Sequence, residues 1–192
     1  TCIKEEAEII VKNNCIATVG SEKSAEILDK CACENGVRCL AHIKIDTGLS
    51  RFGFKSDETD KIIEIYNKYP NIDFVGIYTH FSSAFNDTEL TGKQLSSFLD
   101  TVDKLRKANI DVGTVHAASS PALFNVDGTA LDKVRIGSAF TGRLIAKNDT
   151  GLIKIGVLQS PIIEIKRVPK GTAVGYSGSF VTKRDTTIAI VP

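Results

Sequence analysis

Residues 39–51 read Cys-Leu-Ala-His-Ile-Lys-Ile-Asp-Thr-Gly-Leu-Ser-Arg, an apolar run that ends in a short polar loop. The first eight residues, Cys39–Asp46, have the composition that predicts a β-strand. The loop after them carries Arg51, so a cation follows the carboxyl end of the predicted strand. Similar runs recur along the chain with helical patterns between them, which favours a parallel sheet covered by helices.

Strands and helices alternate through the first part of the chain. Further strands are predicted at Cys15–Gly20, Phe74–His80, Val112–Ala118 and Lys133–Ala139. Helices are predicted after the N-cap Ser21, from about Ser56 to the residues before Pro70, and along the apolar stripe from Leu95 to Leu105. The repeat fits a (β/α)8 barrel with about five β/α units visible, so we expect the rest of the barrel to precede Thr1.

From Gly151 onward the apolar residues alternate without a helical period, as in Ile162–Val168 and Thr186–Val191. This pattern predicts antiparallel β structure. We therefore predict an α/β fold in which residues 1–150 are the C-terminal portion of a (β/α)8 barrel and residues 151–192 begin a mainly antiparallel β domain. The chain contains no Met and stops in an apolar, strand-like run, so we expect both ends to be cuts in a longer protein.

Composition argues against several classes of partner. The formal net charge is +1, which gives no reason to expect nucleic acid or an anionic membrane surface. No apolar run approaches the ~18 residues that a membrane span needs. The five Cys match no disulfide framework, which predicts reduced thiols in the cytoplasm. Cys31 and Cys33 are interpreted as buried helix residues, and no metal site is predicted.

Polar residues follow the predicted strands at the ends where barrel enzymes carry their chemistry. These residues are Arg51, His80, His116, Ser119, Ser120, Arg135, Gly137 and Ser138. Together they suit an anionic ligand that contains a ring.

A phosphate site is the most specific part of this expectation. Ser119 and Ser120 precede a short predicted helix at Pro121–Phe124, and free N–H groups at a helix start attract oxyanions. Gly137 lets the backbone approach a ligand closely. Ser-Ser-Pro alone is more often a plain helix cap, but its combination with Arg135 and the following Gly favours phosphate.

Two cations are predicted inside apolar strands, where each needs a partner. For Arg135 the partner is either a carboxylate in a structural ion pair or an acceptor on a ligand. Lys44 needs a carboxylate or a chemical change that removes its charge. His80 is either a satisfied core histidine or a functional one. Asp46 and Arg51 can form an ion pair that orders their loop.

Four motifs resemble the alanine racemase family in order and spacing. They are His42–Gly53, Gly76–Phe81, His116–Ser120 and Val134–Gly137. The resemblance implies a barrel that binds pyridoxal 5'-phosphate (PLP), a following β domain and a head-to-tail homodimer. It also implies a cytoplasmic bacterial enzyme of D-alanine biosynthesis that racemises a small amino acid with two bases on opposite faces of the α-carbon.

Matching positions imply roles for individual residues. Lys44 would be N-carboxylated and pair with Arg51, which would contact the PLP phenolic oxygen and the substrate carboxylate. Arg135 would donate to the pyridine nitrogen, with His80 hydrogen-bonded behind it, and its permanent charge would keep that nitrogen unprotonated. The residues implied to hold the phosphate are Ser119, Ser120, Gly137 and Ser138.

The resemblance implies that both catalytic bases lie outside these residues, a Schiff-base lysine upstream of Thr1 and a tyrosine beyond Pro192. We therefore expect residues 1–192 alone not to racemise alanine. The family usually has Asn at the position of Ser119 and an aliphatic residue at that of Ser138, which leaves serine or broad specificity open. Three further classes of PLP protein with a similar barrel also stay open: D-threonine aldolases, D-serine dehydratases and non-catalytic PLP carriers. A barrel enzyme that uses another phosphorylated ligand is the remaining alternative.

Overall fold

The structure is a computed structural model that describes residues 2–192. Its strands are β1 (Ala17–Val19), β2 (Cys39–Asp46), β3 (Phe54–Lys55), β4 (Ile72–Tyr78), β5 (Thr114–Ser119), β6 (Lys133–Arg135), β7 (Glu164–Val168), β8 (Ala173–Val174), β9 (Phe180–Val181) and β10 (Thr186–Ile190). Its α-helices are α1 (Lys4–Lys12), α2 (Glu22–Glu34), α3 (Thr59–Lys68), α4 (Thr88–Lys107) and α5 (Ser120–Asn125), and 3-10 turns lie at Ser138–Thr141 and Tyr176–Gly178.

A parallel sheet is the centre of the first part of the chain. Its strands pair in the order β1-β2-β4-β5-β6, with the short β3 added beside β2. Helices separate the successive strands, as in a β/α barrel. Within residues 2–192 the sheet does not close on itself, so this part is an incomplete barrel, as predicted.

The two faces of β2 have different surroundings. Ala41, Ile43 and Ile45 are buried in the hydrophobic core that also contains apolar residues of α2, α3 and α4. Because side chains alternate along a strand, His42 and Lys44 point to the opposite face. The two polar side chains of β2 therefore lie on one face of the sheet, and the hydrophobic core lies on the other.

Several predicted elements are confirmed in detail. β2 has the predicted limits, and α3 ends at Lys68, two residues before Pro70. Ser21 is the N-cap of α2, and its Oγ accepts the N–H of Ser24 at 3.3 Å. The antiparallel structure predicted after Gly151 is present.

Two expectations were wrong in detail, and one helix was missed. The strand predicted at Lys133–Ala139 ends at Arg135, because the backbone turns at Gly137 (φ −126°, ψ −82°) and enters a 3-10 turn. Cys33 is exposed and Cys31 is only partly buried, because α2 buries a different face, that of Ala25, Leu28 and Ala32. Helix α1 was not predicted from the sequence.

The second unit, Ile155–Pro192, contains two antiparallel pairs. β7 pairs with β10 so that Val168 lies opposite Thr186, and β8 pairs with β9. The first unit ends at Lys154. The predicted domain limits, 1–150 and 151–192, stay a prediction. Among the helices of residues 2–192, none combines the length and the apolar character that crossing a membrane requires.

Substituting Leu28→Ala should destabilise the protein, because Leu28 is fully buried where α2 packs into the core. A cavity left by such a change typically costs about 2–5 kcal/mol of unfolding free energy. Glu26→Ala on the exposed face of the same helix is the matched control, with an expected change below about 0.5 kcal/mol. Urea denaturation measures both, and equal losses would contradict the described packing of α2.

Candidate functional site

The half-buried guanidinium of Arg135 lies at the end of β6 and is held by neutral acceptors, of which three lie within 3.0 Å. Nη1 lies 2.6 Å from Nδ1 of His116. Nη2 donates to the carbonyl oxygens of Thr79 at 2.7 Å and of Ala117 at 3.0 Å. Among residues 2–192, no carboxylate forms a salt bridge with Arg135. The structural ion pair left open by the sequence is therefore not formed within these residues, and the positive charge has no anionic partner there.

The permanent charge of Arg135 fixes the direction of a hydrogen-bond chain. A guanidinium only donates, so Nδ1 of His116 must accept and the proton of its neutral ring must lie on Nε2. That nitrogen is 2.9 Å from Nδ1 of His42, which then accepts as well. The ring of Tyr78 stacks on His116, with centroids 4.9 Å apart and planes at 4°. In the chain Arg135–His116–His42, Arg135 therefore donates to His116 and His116 donates to His42.

Gly76 provides the space that His42 occupies. A Cβ atom at position 76 would lie 2.5 Å from Nε2 of His42, much closer than real contacts allow. Gly76 pairs with His42 across β2 and β4, so the glycine lies directly beside the ring. The absence of a side chain at this position is thus part of the site.

His80 follows β4 and lies farther from Arg135 than His116 does. Its Nδ1 is 3.3 Å from Nη2 of Arg135, compared with 2.6 Å for His116. The resemblance gives a role to His80 and none to His116, and Tyr78 is not among the predicted site residues. The register of parallel strands β4 and β5, which places Tyr78 beside His116, is the signal that would have identified both.

The surroundings of all three histidines favour their neutral form. Burial, then the charge of Arg135 and the proximity of His42, lower the pKa of His116 to about 4. Burial and nearby cations also lower the pKa values of His42 and His80. The guanidinium is therefore surrounded by neutral rings that accept hydrogen bonds and add no second charge.

Lys44 is buried on the same face of β2 without an ion-pair partner in the described chain. It is 1% exposed, and its Nζ donates to the carbonyl oxygens of Phe52 at 3.0 Å and Ile45 at 3.3 Å. Burial lowers the pKa of Lys44, although Asp46 opposes the shift. Arg51 is exposed and lies over the ring of Phe52, which Lys44 also approaches.

The carboxylate of Asp46 organises the loop that carries Arg51, but it does so through the backbone. Its Oδ1 accepts the N–H groups of Gly48 and Leu49 at 2.9 Å and of Ser50 at 3.1 Å. Burial raises the pKa of Asp46, but these N–H groups and Lys44 outweigh that effect and bring it below its ordinary value. The side-chain ion pair between Asp46 and Arg51 that the sequence allowed is not formed in the described residues.

Ser120 and Gly137 are brought together at the neighbouring strand ends. Ser120 is buried, and its Oγ accepts the N–H groups of Gly137 at 2.9 Å and Ala139 at 3.2 Å. The hydroxyl hydrogen of Ser120 remains available as a donor. Ser119 is the residue before α5, and the exposed Ser138 begins the 3-10 turn. The predicted phosphate residues thus lie on two adjacent chain segments.

A cavity of about 340 Å³ opens on this face of the sheet. Its lining includes four of the eight residues expected to suit one ligand, Arg51, His80, His116 and Arg135, together with His42. The other expected residues, Ser119, Ser120, Gly137 and Ser138, do not line this cavity. No carboxylate belongs to its described lining, so the cavity has a clear excess of positive charge.

Two family models match the chain. The model "Alanine racemase, N-terminal domain" matches residues 2–144, and "Alanine racemase, C-terminal domain" matches residues 155–192. The alanine racemase of Halothermothrix orenii is 33% identical over 189 residues, which are 96% of this chain and 50% of that protein. Alanine racemase 2 of Clostridium acetobutylicum is 30% identical over 191 residues, 97% of this chain and 48% of that protein.

Solved structures give the same result. The alanine racemase of Clostridium difficile 630 matches with a TM-score of 0.75 at 30% identity, covering 100% of this chain and 52% of that one. The Bacillus anthracis alanine racemase with bound L-Ala-P matches with a TM-score of 0.76 at 26% identity, covering 100% and 51%. This chain spans about half the length of the curated relatives it matches. Because the two family models together match most of its residues, the chain belongs to the alanine racemase family.

Proposed function

We propose that the full-length protein is a PLP-dependent racemase that interconverts L- and D-alanine. The observation that carries the proposal is the guanidinium of Arg135, which lies half-buried beside a cavity with neutral acceptors around it. Membership of the alanine racemase family supports the reaction, and the names of the relatives support alanine as the substrate.

The chemistry of the donors fits PLP. The cofactor brings a phosphate, a phenolic oxygen and a ring nitrogen, and each of these can accept hydrogen bonds. The cavity lining offers two guanidinium groups, Arg51 and Arg135, and no carboxylate among its described residues. An anionic ligand would therefore supply the negative charge that the protein groups around the cavity do not. A metal is not part of this proposal.

Arg135 would hold the ring nitrogen of the cofactor. Because a guanidinium keeps its proton, it leaves a nitrogen that accepts from it unprotonated. Electron withdrawal by the bound cofactor's ring is what makes the α-proton of an amino acid removable. His116, and more weakly His80, would keep Arg135 in position without competing for its charge.

Arg51 would contact the phenolic oxygen and the carboxylate of the amino acid, since its exposed guanidinium lies in the cavity wall. Lys44 would carry an N-carboxyl group, formed when its neutral amine adds carbon dioxide and releases a proton. Burial supports this step because it lowers the pKa of Lys44 and so increases the neutral fraction. The product is an anion, which would pair with Arg51.

The phosphate would be held by Ser119, Ser120, Gly137 and Ser138. The free hydroxyl hydrogen of Ser120 supports this assignment, as do the adjacent positions of these segments. The proposal assigns the two proton-transferring groups of the family, a lysine and a tyrosine, to parts of the full-length protein outside these residues. It also includes a head-to-tail homodimer and a cytoplasmic location.

Racemisation by the purified full-length protein is the direct test. With PLP present, L-alanine should be converted to an equal mixture of enantiomers, detected as D-alanine with a D-amino-acid oxidase. Faster turnover of serine would move the assignment to a serine or broad-specificity racemase. Cleavage or dehydration of a D-hydroxyamino acid that stops with a chelator would identify a lyase. Bound PLP without any turnover would identify a carrier.

Arg135→Lys should lower kcat/KM for racemisation by about 100-fold. A lysine keeps the positive charge but cannot reach His116, Thr79 and Ala117 at once, because it lacks the planar fork of arginine. The matched control is Arg38→Lys. Arg38 is an exposed arginine just before β2, and it forms a salt bridge with Asp73. Equal activity of the two variants would contradict the role proposed for Arg135 in binding the cofactor.

Acid should destabilise the protein through His116. The pKa of His116 is about 4 in the folded chain and 6.5 without the fold, so the unfolded state binds more protons between these values. Its stabilising contribution is complete above about pH 6.5 and is lost as the pH falls towards about 4. Melting temperatures measured across this range should fall less steeply for His116→Gln. The neutral core variant Thr101→Val should keep the wild-type slope, and an unchanged slope in His116→Gln would contradict the described burial.

A further inference from the structure

Gln94 is a buried polar residue of α4 that the proposed reaction does not use. It is 4% exposed, although it lies on a helix whose other polar side chains are mostly at the surface. Its Oε1 accepts the N–H of Ser82 at 3.0 Å, and its Nε2 donates to Oγ of the same serine at 2.9 Å. The amide thus holds Ser82 by two hydrogen bonds.

The same amide group lies against a second loop. A Cβ atom at Gly48 would be 2.6 Å from Nε2 of Gln94, so the backbone of Gly48 rests directly on the amide. Gly48 has φ +131°, a conformation that favours glycine, and its N–H donates to Asp46. Gln94 therefore fills the space between the loop after β2 and the loop after β4.

These two loops carry site residues. Ser82 is two residues after His80, and Gly48 is three residues before Arg51. A direct link also joins the loops at their bases, where Oγ1 of Thr47 and Oγ1 of Thr79 are 2.8 Å apart. Gln94 adds a second connection between the two loops, at Ser82 and Gly48, farther from the strands.

We propose that Gln94 is a positioning residue that sets the spacing between Arg51 and His80 by holding the Ser82 loop and the Gly48 loop against one amide. The consequence for catalysis rests on the proposed function. The bridge itself does not, because it is a property of α4 and two loops. An amide suits the position because it accepts from an N–H and donates to a hydroxyl while it carries no charge into a buried site.

Gln94→Met tests the bridge in the full-length protein, since methionine has a similar length but cannot make the two hydrogen bonds. Hydrogen–deuterium exchange should become about tenfold faster at Ser82, as expected for the loss of roughly 1.4 kcal/mol of hydrogen bonding. Exchange should also rise at residues 48–50. If racemisation is present, kcat/KM should fall by about tenfold, because the misplaced loops carry Arg51 and His80.

Thr101→Val is the matched control on the same helix. Thr101 is also buried and donates to the carbonyl oxygens of Ser56 and Ser97, so its loss perturbs α4 without touching either loop. Ser82→Ala removes the hydrogen bond from Gln94 to Oγ of Ser82 and keeps the one from the backbone N–H of Ser82 to Gln94. It should give a smaller effect in the same two loops, and it tests the bridge if Gln94→Met does not fold.

Faster exchange confined to Ser82 in the bridge variants, or equal effects of Thr101→Val on the loops and on kcat/KM, would overturn the proposal. Wild-type protein without racemase activity would refute the proposed function but leave the exchange result to decide on the bridge. Faster exchange in both loops with unchanged kcat/KM would show a bridge that does not position the site, and would also overturn the proposal.

Discussion

The positive charge of Arg135 is the constraint on which the rest of the site depends. It is half-buried at a strand end and is met by the carbonyl oxygens of Thr79 and Ala117 and by the ring of His116. Because a guanidinium only donates, each of these groups must present a lone pair, and the two linked histidines must carry their protons on the far nitrogens. One cation thus determines the orientation and the charge state of its neighbours.

The second cation, Lys44, differs from Arg135 in its surroundings. Arg135 donates to two carbonyl oxygens and a histidine ring, whereas Lys44 donates to two backbone carbonyls and lies near two aromatic rings. A buried lysine without an anion is costly, and its lowered pKa reflects that cost. The nearby carboxylate of Asp46 does not form a salt bridge with Lys44 in the described residues, because it is occupied by backbone N–H groups of the following loop. The two cations therefore differ in how completely the described residues satisfy them.

The sequence predicted the features that depend on neighbouring residues in the chain, such as strand limits and helix caps. β2 was identified to the residue because its apolar run ends in a polar loop, and Ser21 was identified as a cap because its side chain acts on the next turn. The roles of His116, Tyr78 and Gln94 depend on which strands and loops lie side by side, which composition does not reveal. The end of β6 was misplaced because the apolar pattern continues through Ile136 while the backbone turns at Gly137.

The close fit of Gly76 against His42 makes the effects of substitutions at these two positions depend on each other. A side chain at position 76 would displace the imidazole from its present place, since both cannot occupy the same volume. A smaller residue at position 42 would leave only a gap beside the glycine. The two positions are therefore not equivalent: the ring needs the glycine in order to keep its place, whereas the glycine does not need the ring.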